Sequence, residues 1–105
     1  MEVLHLNKES FEKLTAQQEK AVLIDFWASW CGPCMKLAGE LEALAADHED
    51  LIVGKINIED QANIQLAAAL GVTSIPALFF YRNGQLVKQL VGYMKKAELE
   101  AKLEL

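Results

Sequence analysis

Hydrophobic and polar residues follow several distinct periods along the chain, and each period predicts an element. Val3 to Leu6 alternates weakly, as a first strand does. Asn7 stands where an N-cap side chain accepts the free amides of a helix over about Lys8 to Gln18, with Phe11 and Leu14 on its inward face. Ala21 to Trp27 is apolar except for Asp25, and such a run suits a central strand covered by helices on both sides. Leu37, Ala38, Leu41, Leu44 and Ala45 return to helical spacing and place a long helix from the cysteines to near Asp47 and His48. Leu51 to Ile58 predicts another strand, and Asn63 to Leu70 a short helix closed by Gly71. Pro76 keeps the residues before it out of regular structure. Ala77 to Tyr81 and Gln85 to Val91 then form an antiparallel hairpin, because Asn83-Gly84 supplies the positive φ angles of a tight turn. Gly92 ends that strand, and Lys95 to Leu105 predicts a last helix with Leu99 and Leu103 one turn apart.

The order β-α-β-α-β-α-β-β-α, with right-handed crossovers in its parallel part, predicts an α/β fold: a three-layer α/β/α sandwich around a central mixed five-stranded sheet with four helices. No linker, repeat or low-complexity tract divides the chain, so residues 1–105 are expected to be a single domain and a monomer. At 105 residues with 52% hydrophobic side chains, it buries roughly two thirds of its unfolded surface, enough for a core without metal or disulfide staples. A formal charge of −5 argues against nucleic acid and anionic membranes as partners. The first residues carry neither a basic leader nor a long apolar run, and the expected location is cytoplasmic.

The only two cysteines, Cys31 and Cys34, sit where the central strand runs into the long helix, beyond the carboxyl end of a strand where reactive groups collect. Pro33 suits a first helical turn, and Gly32 permits a tight turn beside it. Cys31 therefore faces the free amides and positive dipole end of the helix, which favour thiolate over thiol and make it the better nucleophile. Cys34, one turn on, is within reach to close a disulfide and is the natural resolving thiol. The ring so closed holds two intervening residues and restrains the unfolded chain little, as suits a bond made to switch. The rival reading, half of a zinc site, lacks a second ligand pair: His5 and His48 have no ligand spacing to the cysteines and read as ordinary surface residues, so no metal is expected. Asp25 alternates with Leu23 and Trp27 onto a covered face. It is either a buried acid of raised pKa that exchanges protons near neutrality, or an aspartate reaching solvent at the strand end.

Asp25-Phe26-Trp27-Ala28-Ser29-Trp30-Cys31-Gly32-Pro33-Cys34, with Ile75-Pro76, Asn83-Gly84 and Val91-Gly92 at their present separations, resembles the thioredoxin family over essentially the whole chain. That family is itself the reference case for Cys-x-x-Cys acidity. The resemblance implies the thioredoxin fold and a thiol–disulfide oxidoreductase that reduces disulfides in target proteins through Cys31 and Cys34. It implies Asp25 as proton acceptor for Cys34 and Lys55 as its modulator, against the alternative of a solvated strand lysine. It implies a cis Ile75-Pro76 bond against the cysteines, and a docking platform of Trp30, Ile75, Val91 and Gly92. No cofactor is bound in such a protein; a thioredoxin reductase, NADPH-dependent in most members, restores the dithiol. Gly32-Pro33 carries no histidine to stabilise the thiolate further, which predicts a reductant rather than a strong oxidant. An oxidase or isomerase module, a binding module using the same apolar platform, and a purely structural domain with unreactive thiols are the competing functions. Four departures touch the pattern: Gly39 where many members have proline, Ala77 after Pro76, Thr73-Ser74 without a positive residue, and Tyr93 after Gly92. They bear on helix shape and partner choice, leaving the sulfur chemistry intact.

Overall fold

The computed structural model describes residues 2–105. Its elements in chain order are β1 (Leu4–His5), α1 (Lys8–Ala16), β2 (Ala21–Trp27), α2 (Gly32–Asp47), β3 (Leu51–Asn57), α3 (Gln61–Ala69), β4 (Ala77–Arg82), β5 (Gln85–Val91) and α4 (Lys96–Leu103). The strands form one mixed sheet in the order β1-β3-β2-β4-β5, parallel from β1 to β2 and antiparallel through β4 and β5. This is the thioredoxin fold, with helices on both faces.

Strand β2 is central because its side chains bury on both sides, as the apolar run from Ala21 requires. Val22, Ile24 and Phe26 pack with Phe11 of α1, Leu66 and Ala67 of α3, and Phe79 and Tyr81 of β4. On the opposite face Leu23 joins Leu37, Leu41 and Leu44 of α2 and Leu99 and Leu103 of α4. Each fully buried leucine of α2 contributes about 1.5–3 kcal/mol by leaving water, so the helix is held down along its length. Asn83 and Gly84 both adopt positive φ, 53° and 74°, and close the predicted hairpin.

Element ends differ from the periodic reading where side chains cap the backbone. Helix α1 stops at Ala16 rather than Gln18 because Gln17 turns extended and its Oε1 accepts the amides of Glu19 and Lys20. Helix α3 begins at Gln61, two residues before the predicted Asn63, because Asp60 Oδ1 accepts from the amides of Ala62 at 2.9 Å and Asn63 at 3.4 Å. Helix α4 ends at Leu103, where Glu104 enters the left-handed region at φ 57°.

His48 departs from its expected role as a plain surface residue. It is half-buried, with Nε2 2.6 Å from Glu100 Oε2. Lys96 Nζ joins the same group, 2.7 Å from Asp47 and 3.2 Å from Glu100, while the Lys96 amide donates to Glu40 Oε1 at 2.7 Å. This network ties the start of α4 to α2. It arises from packing between residues about fifty positions apart, which local patterning does not reach.

Gly39 lies within the unbroken helix α2, and a methyl group there would meet no atom within 4 Å. Gly39→Ala is therefore expected to stabilise the fold by about 1 kcal/mol through lost unfolded-chain entropy. Thermal denaturation should place its Tm about 4–8 °C above wild type; an unchanged or lower Tm would contradict the open environment assigned to that face.

Candidate active site

Strand β2 ends at Trp27, and a short turn carries the chain to Cys31, the N-cap of α2. Three interactions hold that turn. The Cys31 amide donates to Ala28 O at 3.2 Å, the Ile58 amide donates to Trp27 O at 2.9 Å, and Glu59 accepts from both the Ser29 amide and the Ser29 hydroxyl at 2.8 Å. The Ser29 amide, then its hydroxyl, holds the Glu59 carboxyl below its usual range. Glu59 was not singled out from sequence; an acidic residue after a strand signals only a solvated loop, and its partner lies thirty positions away.

Cys31 and Cys34 are joined as a disulfide with Cα atoms 5.2 Å apart. The Cys34 amide donates to Cys31 Sγ at 3.2 Å, so the sulfur occupies the capping position at the positive end of the helix. Pro33 sits in the first turn, and no acidic residue of that turn offsets the dipole. The two sulfurs differ in access: Cys31 retains 6% exposure, and Cys34 has none. Gly32 and Pro33 are exposed beside them.

Ile75-Pro76 is cis, and Pro76 is buried. Cys31 Sγ lies 3.8 Å from Ile75 O. The Gly92 amide donates to Pro76 O at 2.8 Å, and Val91 pairs in register with Ala77, which brings the end of β5 to the same place. Trp30 and Val91 are 71% and 64% exposed, far more than apolar side chains with a core to fill. Of the four residues expected to form a platform, Trp30 precedes Cys31 and Ile75 packs against the cysteines, while Val91 and Gly92 are placed beside Ala77 and Pro76. An apolar groove of about 200 Å³ continues beyond Trp30 and Ile75 past Ile58 and Ile64. Ile58 and Ile64 were missed from sequence because a strand end and a helix face both predict core positions. Tyr93 carries the Lys36 ammonium 4.5 Å from its ring centroid.

Asp25 is fully buried. Neither carboxyl oxygen has a hydrogen-bond partner among the described residues. Burial raises its pKa from 3.8 to about 7, with Lys55 pulling in the opposite direction. Lys55 pairs in register with Asp25, is 9% exposed, and lays its ammonium 4.4 Å from the Trp27 ring centroid. It is a buried neighbour of Asp25, not a solvated strand lysine. Among the described residues no group of three or more His, Cys, Asp or Glu is placed to hold a metal ion, and no helix is long and apolar enough to cross a membrane.

A family model described as Thioredoxin matches residues 2–105. The chain is 46% identical over 88 residues to a thioredoxin of Alicyclobacillus acidocaldarius, covering 83% of this chain and 82% of that one. It is 38% identical to a thioredoxin of Porphyra purpurea, covering 98% and 95%. Among solved structures, Chlamydomonas reinhardtii thioredoxin f2 superposes with a TM-score of 0.86 at 31% identity, over 97% of this chain and 94% of that one. A point mutant of a thioredoxin from Halobacterium salinarum gives 0.87 at 34%, over 98% and 88%. With that family model matching nearly the whole chain and the two cysteines joined as a disulfide at the start of α2, the chain belongs to the thioredoxin family, as a thiol–disulfide oxidoreductase working through its cysteine pair.

Proposed function

We propose that the protein is a reductant of disulfides in target proteins, with Cys31 as nucleophile and Cys34 as resolving thiol. The observation that carries this reading is the unequal setting of the two sulfurs: Cys31 caps the helix and keeps 6% exposure, whereas Cys34 has none. In the dithiol state the helix end favours the Cys31 thiolate, the form that attacks. Its attack on a target sulfur breaks the target disulfide, forms a mixed disulfide and releases the first target thiolate. Cys34 then passes its proton through water to Asp25 and attacks Cys31 Sγ, which breaks the mixed bond and releases the second target thiolate. The protein is left oxidised. Asp25 suits the acceptor role because an acid with a pKa of about 7 both takes and returns a proton near neutrality. Lys55, beside it in register, moderates that acidity.

Trp30, Ile75, Val91 and Gly92 receive the target as an extended segment against Ile75, whose carbonyl faces the sulfur. Pro76 has no amide to compete there, and Gly32 and Pro33 keep the approach to Cys31 low. Electrons come from a thioredoxin reductase, NADPH-dependent as in most of the family, with no cofactor on this chain. The single domain over residues 1–105 works as a cytoplasmic carrier.

Insulin reduction by dithiothreitol-prereduced protein tests the sulfur roles. Cys31→Ser should abolish it. Cys34→Ser should accumulate a mixed disulfide visible on non-reducing gels; trapping by Cys31→Ser instead would reverse the assignment.

Asp25 also carries a thermodynamic signature. Between 3.8 and about 7 the folded state holds a proton that the unfolded state has released, so stability falls as pH rises through that window and stays low above it. The penalty at alkaline pH is roughly 4 kcal/mol. In denaturant titrations, the stability of Asp25→Asn relative to wild type should climb across the same window and then level off. A difference independent of pH would remove the case for a buried acid.

A further inference from the structure

Asp25 pairs in register with Lys55, and Lys55 with His5, so the three side chains form one row across β2, β3 and β1 on the face covered by α2. The row runs from a fully buried carboxyl through a 9% exposed lysine to an exposed histidine on the edge strand. Its outer part opens into a cleft of about 390 Å³ between β1 and α2, lined by Glu2, Val3, His5, Ala38, Glu42 and Lys55. Toward the disulfide, Ala28, Cys31 and Cys34 pack with Trp27, Ile58 and Ile75 into a small buried cluster. A target joined to Cys31 would cover that side further. None of the six cleft residues belongs to the proposed docking platform.

We infer that this cleft is the proton port of the site: the proton that Asp25 takes from Cys34 leaves past Lys55 and out between His5 and Glu42. The inference rests on the reading of Asp25 as acceptor. The buried carboxyl oxygens have no hydrogen-bond partner among the described residues, so no side chain holds the proton in place. The charged and titratable groups facing the route are Lys55 from β3, His5 from β1, Glu42 from α2 and Glu2 ahead of β1. Glu42 and Glu2 supply acceptors at the mouth, and Lys55 lies at its inner end. Asp25 does not itself line the cleft, so Asp25–COOH gives its proton to water that enters past Lys55, which passes it to bulk water or to a small base standing in the cleft, and the carboxylate is restored with no change of oxidation state.

The test is a laser-induced pH jump on the oxidised protein, following the protonated-carboxyl infrared band that disappears in Asp25→Asn. Imidazole should accelerate relaxation of that band in wild type. Ala38→Phe, which fills the cleft from α2, should slow the relaxation by about 10²-fold, the lower end of what access to a general base contributes, and abolish the imidazole effect. His5→Trp closes the same mouth from an exposed edge position and decides the matter if Ala38→Phe does not fold. Relaxation at the wild-type rate in His5→Trp, with imidazole still effective, would overturn the port. Decay of the mixed disulfide separates this from the underlying reading: an Asp25→Asn variant that resolves at the wild-type rate would remove Asp25 as acceptor, and the port with it. Slow resolution in Asp25→Asn together with wild-type relaxation in the plugged variants would leave the acceptor standing and the port refuted.

Discussion

A helix that starts where a buried strand ends leaves its first amides nowhere to turn, and here one of them turns to sulfur. The hydrogen bond from the Cys34 amide to Cys31 Sγ is the contact on which the chemistry depends. It exists because β2 is pinned on both faces by apolar packing and because Leu37, Leu41 and Leu44 hold α2 against the same sheet. Those two constraints fix where the first helical turn falls. A capping sulfur feels the helix dipole at its strongest, since the effect fades beyond the first turn. The lack of an acidic side chain in that turn leaves the field intact.

The same burial that makes the strand rigid makes Asp25 expensive. A carboxyl group at the centre of a sheet, without a hydrogen-bond partner among the described residues, is a poor choice for stability and a good one for proton exchange near neutrality. Lys55 offsets part of that cost by its charge while spreading its own over the Trp27 ring. Strand alternation places the pair, and the parallel register sets the two side by side.

Around this fixed centre the surface is divided. One side is apolar and exposed, carried by Trp30 and Val91, and suits contact with another polypeptide. The opposite end of α2 is held by charge, through Asp47, His48, Lys96 and Glu100, at residues that touch neither the disulfide nor its platform.

Much of this was legible in the chain. The apolar run around Asp25, the helical spacing after Cys34 and the Asn83-Gly84 turn each encode a local preference strong enough to survive packing, so β2, α2, β5 and the hairpin fall where periodicity puts them. The motif around Cys31 and Cys34 named its chemistry because only those two residues, at that spacing, carry a thiol. What the chain did not disclose depends on partners far apart in number, or on side chains that cap the backbone. Asp60 and Gln17 set helix ends through side-chain hydrogen bonds that periodicity does not register. Glu59 reaches Ser29, His48 reaches Glu100, and His5 lines up with Lys55 and Asp25 only after three strands have taken their register. Local sequence determines the elements and the identity of the reactive atoms, because backbone preference and side-chain chemistry are properties of short segments. Tertiary structure alone decides the burial of Asp25, the exposure of Trp30 and the difference in access between the two sulfurs, because solvent exclusion belongs to the assembled surfaces and to no segment taken singly.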